Sequence, residues 1–204
     1  MTNKKNIAII NYGNGNIQSI INALPLKNCN YDIYNNKCLI GEYDCIIIPG
    51  MGNYSKLSQK LREKENFKFL KNHLAQKKKL IGICLGFQVM VDFTHELKKS
   101  IGLSIFSGMV SQIKNKKHHI GWNKIKFNNK KSLFADFNND FFYFNHGFMY
   151  KPSIKSEKLC SAVAVHDGLS IPALIEMKNI IGFQFHPEKS QDKGIEILNR
   201  AILG

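Results

Sequence analysis

Short, continuously apolar runs closed by glycine or proline constrain this chain more than any other feature. Residues 44–50 read DCIIIPG, with no polar position between Cys45 and Ile48. Such a run fits a strand buried on both faces of a parallel sheet, because a half-exposed strand would alternate. KNIAIINYG (5–13), ending in a Gly-rich turn, and KLIGIC (79–84) have the same character. NIQSIINAL (16–24) carries apolar residues at helical spacing behind Asn16, the expected N-cap, and the amphipathic LSQKLREKENFKFLKNHLAQ (57–76) reads as helical. Strands alternating with helices imply an α/β fold, an open and mainly parallel sheet flanked by helices. The later segments MVSQI, NKIKF, DFFYFNH, CSAVAVH, IPALIEM and IIGFQFHP are strand-like, and KGIEILNRAIL closes the chain as a helix. These predict an antiparallel extension of the sheet. With no repeat or linker, residues 1–204 are expected to form a single domain.

Composition excludes several classes of function. A chain with 44% apolar and 22% charged residues has the balance of a soluble globular protein, and no apolar run is long enough to span a membrane, so a cytoplasmic protein with no membrane association is expected. The five cysteines show neither metal-ligand spacing nor disulfide-scaffold density, and reduced thiols with no metal and no cofactor are expected. The formal charge of +14 invites a nucleic-acid reading, yet only Arg62 and Arg200 among 29 basic residues are arginines. Bidentate recognition of bases and phosphates leans on arginine, so a solvated lysine-rich surface and no nucleic-acid partner are expected.

Cys84 falls at the end of KLIGIC, where ligands bind in doubly wound sheets, beyond the carboxyl ends of the strands. Gly82 and Gly86 permit a sharp strand-to-helix turn that would present the thiol as a nucleophile elbow presents serine. The helix expected over LGFQVMVDF would aim its positive end at the sulfur. A buried, inert thiol is the alternative. His186 ends the run GFQFHPEKS as a candidate base, and Glu188, two residues on, is placed to orient its imidazole. Backbone N–H groups of Gly50, Met51 and Gly52, paired with that of Leu85, could form an oxyanion hole; an ordinary glycine turn is the alternative. His73, His95 and His166 are expected at the surface.

Together PGMG, GICLGFQ and FHPEKS resemble the class I (triad-type) glutamine amidotransferases. Within that family, IAIINYGNGNIQSI, HIGWNKI and GFQFHPEKSQDKGIEIL resemble the glutaminase subunits that serve imidazole glycerol phosphate synthesis. The resemblance implies a flavodoxin-like fold and release of ammonia from glutamine through a glutamyl thioester, with Cys84 as nucleophile, His186 as base and Glu188 as orienter. It implies that Gly50, Met51, Gly52 and Leu85 line the substrate and oxyanion region, that Gln88 contacts bound glutamine, and that the backbone at Gly147 and Phe148 holds its amino-acid end. Tyr12, Asn14, Asn16, Trp122, Asn123 and Lys189 would face a (β/α)8 barrel cyclase subunit in a heterodimer. Ammonia would pass to that barrel for synthesis of imidazole glycerol phosphate and AICAR in histidine biosynthesis.

The chain departs from the subunit's usual pattern at Phe87, at NHGF (145–148) and at Lys117-His118, where a proline is usual. Two alternatives stay open: a divergent paralogue supplying ammonia for amidation or amidino-group formation on surface sugars, and a partner-free Cys-His hydrolase.

Overall fold

The computed structural model describes residues 4–13, 16–35, 41–94, 100–114 and 118–204. The apolar runs form the parallel half of a sheet. Strands β1 (Lys5–Asn11), β2 (Cys29–Asn35), β3 (Cys45–Ile48) and β4 (Lys79–Ile83) lie in the order β2-β1-β3-β4, all parallel. Helices α1 (Ile17–Ala23), α2 (Tyr54–Arg62) and α3 (Lys64–Ala75) connect them, and the one-turn α4 (Leu85–Gln88) follows β4. The short strands β5 (Val91–Thr94) and β6 (Ser100–Ile101) come next, then β7 (Phe106–Gln112), β8 (His119–Phe127), β9 (Phe141–His146) and β10 (Phe148–Pro152). The chain closes with β11 (Cys160–His166), β12 (Leu169–Met177), β13 (Ile180–Phe183) and α5 (Gln191–Leu203).

Strand β13 joins the two halves. It runs parallel to β4 and antiparallel to β12, after which β11, β8 and β9 extend the sheet in antiparallel fashion. A second sheet, β10-β7-β5-β6, was not foreseen from the sequence.

Both faces of β1, β3 and β4 are buried over most of their length, as their apolar character requires, whereas the edge strand β2 (CNYDIYN) is largely exposed. Ile7, Ile9, Cys45, Ile47, Ile81 and Ile83 face a core shared with α1 and α5, whereas Ala8, Ile10, Ile46, Ile48 and Leu80 face one shared with α2 and α3. Each fully buried isoleucine contributes about 2 kcal/mol. A strand apolar on both faces carries little register information of its own. Close backbone approaches supply it: a Cβ on Gly86 would stand 2.0 Å from the Ile48 carbonyl oxygen, and one on Gly50 would stand 2.0 Å from that of Ile83.

Four local expectations need correction. The helix read over residues 57–76 is two helices, α2 and α3, parted at Glu63 (φ −50°, ψ 135°). The apolar stripe Tyr54, Leu57, Leu61 would continue at 64 or 65, where Lys64 and Glu65 stand, and the buried Asn66 amide donates to the Lys60 carbonyl (2.9 Å). The helix after Cys84 ends at Gln88, and Val91–Thr94 is a strand; every residue from Leu80 to Val91 is buried, so no polar face marked the boundary. Asn16 occupies the N-cap position of α1, but its side chain makes no capping bond. His73 is buried, not surface-exposed: its Nε2 meets the Lys79 carbonyl (2.7 Å) and its ring stacks on Phe69. His95 lies outside the described residues. Among the described residues, no helix is long and apolar enough to cross a membrane.

Candidate active site

Cys84 adopts φ 47°, ψ −105°, a backbone conformation that costs a non-glycine residue about 1–3 kcal/mol. The strain turns the chain sharply between β4 and α4 and brings the thiol to the end of the strand, as in a nucleophile elbow. A Cβ on Gly82 would stand 2.7 Å from the Phe87 backbone, so the turn tolerates only glycine there. Leu85, the first residue of α4, has no intrahelical acceptor for its N–H. With α4 one turn long, its dipole adds little beyond these individual N–H groups.

Adjacent parallel strands carry Cys84 and His186. Ile83 pairs with Phe183, the Cys84 N–H donates to the Phe183 carbonyl (2.6 Å), and His186 follows three residues later. The imidazole is held from behind: its Nδ1 meets Glu188 Oε1 at 2.8 Å, with the two side chains 1% and 3% exposed. Its backbone is pinned by β9. The His186 N–H donates to the Tyr143 carbonyl (2.8 Å), and the Ser190 hydroxyl donates to the His186 carbonyl (2.7 Å) while accepting the Tyr143 N–H (2.9 Å). Burial pushes the imidazole pKa down, but charge and hydrogen-bond interactions with Cys84 and then Glu188 overcome it and raise the value to about 10. A thiol beside an imidazole that favours its charged form is equipped for nucleophilic attack and for proton return to a leaving group.

A cavity of about 180 Å³ opens over the thiol, lined by Gly50, Met51, Gly52, Cys84, Leu85, Gln88, Asn145, His146, Gly147 and Phe148. All seven residues predicted for the substrate and oxyanion region are in that wall. Gln88 is a strut within it: its amide donates to the Phe148 carbonyl (2.9 Å) and to Gln184 Oε1 (3.1 Å).

Of the residues predicted to face a partner, Trp122 is 46% exposed and packs edge-on against Tyr143. Asn123 is turned inward, donating to His119 Nε2 (3.0 Å) and the Val165 carbonyl (2.8 Å). Lys189 reaches Met51 Sδ (3.7 Å), and Tyr12 binds the Met51 backbone. Asn16 is half-buried, and Asn14 lies outside the described residues.

Two features escaped the sequence reading. Gln184 is fully buried and its amide donates to Cys84 Sγ (3.7 Å). Its signal was a lone polar residue in the apolar run IIGFQF, two positions before His186. The second is a histidine row. His166, expected at the surface, is half-buried and stacks on His119 at 4.4 Å, and His119 meets the His146 ring at 5.1 Å. His146 Nδ1 donates to the Phe148 carbonyl (2.7 Å), fixing the cavity wall. The departure at NHGF also has a local cause: a Cβ on Gly147 would stand 2.8 Å from His118 Cδ2, so the glycine makes room for the ring that replaces the usual proline.

This constellation on this sheet defines a class: the chain belongs to the class-I glutamine amidotransferase family, whose profile matches residues 8–203. Its relatives narrow the likeness. The imidazole glycerol phosphate synthase subunit HisH of Bacillus thuringiensis (strain Al Hakam) is 35% identical over 196 residues, covering 94% of this chain and 91% of that protein. The HisH subunit of Geobacillus thermodenitrificans (strain NG80-2) is 31% identical over 204 residues, covering 96% and 94%. Among solved structures, PurLQS from Thermotoga maritima superposes with a TM-score of 0.78 at 20% identity over 98% of both chains. The glutaminase domain of Trypanosoma brucei CTPS superposes with a TM-score of 0.63 at 15% identity over 97% of this chain and 94% of that one. These two likenesses carry the fold.

Proposed function

We propose that the chain is one glutamine amidotransferase domain acting as the glutaminase subunit of an imidazole glycerol phosphate synthase. The observation that carries the reaction is Cys84 on a strained elbow beside His186, itself held by Glu188. Cys84 Sγ attacks the side-chain amide carbon of glutamine. The tetrahedral oxyanion is met by the Leu85 N–H and a donor from the loop 50–52, and the C–N bond breaks as His186 gives a proton to departing ammonia. Water, deprotonated by His186, then attacks the thioester, releasing glutamate and restoring the thiol. Glu188 holds the imidazole in one orientation throughout.

The pathway reading rests on the HisH relatives at 31–35% identity over nearly the whole chain. The partner would be a (β/α)8 barrel cyclase subunit, docking over Trp122, Tyr12 and Lys189. The test is glutamate release from glutamine by the purified chain, alone and with candidate barrel subunits from the same source, with and without the barrel's nucleotide ligand. Stimulation by the histidine-pathway barrel is expected. Stimulation only by a divergent barrel would reassign the ammonia to sugar amidation, and full activity without any barrel would favour a partner-free hydrolase.

A further inference from the structure

A row of amide groups runs from the cavity wall to the nucleophile. The Gln88 amide nitrogen lies 2.9 Å from the Phe148 carbonyl and 3.1 Å from Gln184 Oε1, and the Gln184 amide nitrogen lies 3.7 Å from Cys84 Sγ. Gln184 is fully buried, one residue past the end of β13, and its backbone N–H donates to the Ala173 carbonyl (2.9 Å). It is not among the residues lining the cavity. It therefore meets the sulfur from the protein interior, and a substrate seated over the thiol leaves the contact in place.

Elementary chemistry dictates the order of atoms along the row. A backbone carbonyl only accepts, so the Gln88 atom facing Phe148 is its nitrogen. That nitrogen carries a second N–H, and the Gln184 atom beside it has to be the oxygen. The other end of the Gln184 amide, an N–H donor, is thereby turned to the sulfur. Flipping it would set two donors against each other. Each bond polarises the next, and a donor fixed in a water-excluded interior acts most strongly on a charged acceptor, here a thiolate.

We propose that Gln184 is a further catalytic residue, whose amide N–H stabilises the Cys84 sulfur whenever it carries negative charge. Before attack, the thiol proton passes to His186 and the electron pair stays on sulfur, facing the Gln184 N–H. After acylation, water gives a proton to His186 and adds to the thioester carbon. As that adduct collapses, the C–S bond breaks, its electron pair returns to sulfur, and the same N–H meets it. The ionisable groups that act on the sulfur are His186, with Glu188 behind it, and Tyr12, whereas the Gln184 donor is neutral at every pH. The thioester step rests on the glutaminase reading above; the contact with the thiolate does not.

The test is Gln184→Met, which keeps the length of the side chain and removes the donor. Alkylation of Cys84 by iodoacetamide, which needs no glutamine site, is followed against pH, beside kcat and KM for glutamine with the barrel subunit present. The pH profile of alkylation should move about one unit to the alkaline side with its plateau within about twofold, the roughly tenfold effect of one hydrogen bond to a charged group. By the same factor kcat should fall, with KM within about twofold. An unmoved profile, or a rate lowered equally at every pH, would reduce Gln184 to a packing role and overturn the proposal. Should the variant fail to fold, as read by circular dichroism, the wild type decides by NMR. The Gln184 carboxamide protons should move downfield along the alkylation profile and stay fixed in Cys84→Ala; signals indifferent to that titration, or moving equally in Cys84→Ala, would overturn the proposal. Failure of the glutaminase reading would show separately, as wild-type chain that releases no glutamate with any barrel.

Discussion

The row of histidines beside the cavity makes stability depend on pH in a calculable way. Burial, reinforced by His119, holds His146 down to about 3, and burial, reinforced by His166, holds His119 down to about 4. The unfolded chain takes up a proton at each imidazole as pH falls through about 6.5, while the folded chain does not. Stability is therefore full above pH 6.5 and is lost as pH falls toward 4. At pH 5 each imidazole removes about 2 kcal/mol, or about 4 kcal/mol for the pair. Buried His73, also held down chiefly by burial, acts in the same direction. His186 has the opposite sign: its raised value adds stability that is fully present below 6.5 and declines as pH rises through about 10. Urea unfolding followed by Trp122 fluorescence would read this directly. With a slope of about 2 kcal/mol per molar, the midpoint should fall by about 2 M between pH 7 and pH 5. His119→Phe retains the stack on Phe144, at 4.2 Å, and should recover about half of that loss. A midpoint that moves by less than about 0.5 M, or a variant with the wild-type slope, would refute the reasoning.

Three further outcomes follow from distances in the site. Gly86→Ala puts a Cβ 2.0 Å from the Ile48 carbonyl, where only backbone can yield; a loss of about 3 kcal/mol, with glutamate release falling in step, is expected from urea titration and the glutaminase assay. Gly147→Ser should raise KM for glutamine, and adding His118→Ala should bring it back, because the clash is with that ring alone; steady-state kinetics on the double variant decides it. Glu188→Gln should lower kcat by less than Cys84→Ala or His186→Ala does, since an orienting group is less critical than those exchanging protons; equal losses in a single-turnover assay would contradict that ranking.

Runs such as CIII and the closing KGIEILNRAIL mark the strands of the parallel half and the last helix directly, because burial on both faces or on one stripe leaves a plain pattern. The elbow is legible too, through Gly82, Cys84 and Gly86. The break at Glu63 is visible only as a lapse in the apolar stripe at Lys64 and Glu65. The end of α4 leaves no mark, since Leu80 to Val91 are uniformly buried and periodicity has nothing to contrast. The far wall of the cavity, Asn145 to Phe148, comes from β9, β10 and the turn between them, and no local rule states which side of a distant strand pair will face a given thiol. His118 and Gly147 illustrate this: read separately they are two anomalies in sequence, and in the fold they are one contact.

The seam at β13 also bears on how the chain acquires its reactivity. Cys84 and Gln184 are 100 residues apart, and they meet only once β13 has paired with β4. Contacts of such separation form late, after the cost of closing a long loop has been met. During refolding, circular dichroism should therefore recover ahead of Cys84 alkylation by a chloroketone analogue of glutamine. A nascent or partly folded chain would carry an ordinary thiol, and the activated one would emerge only in molecules whose sheet is already complete.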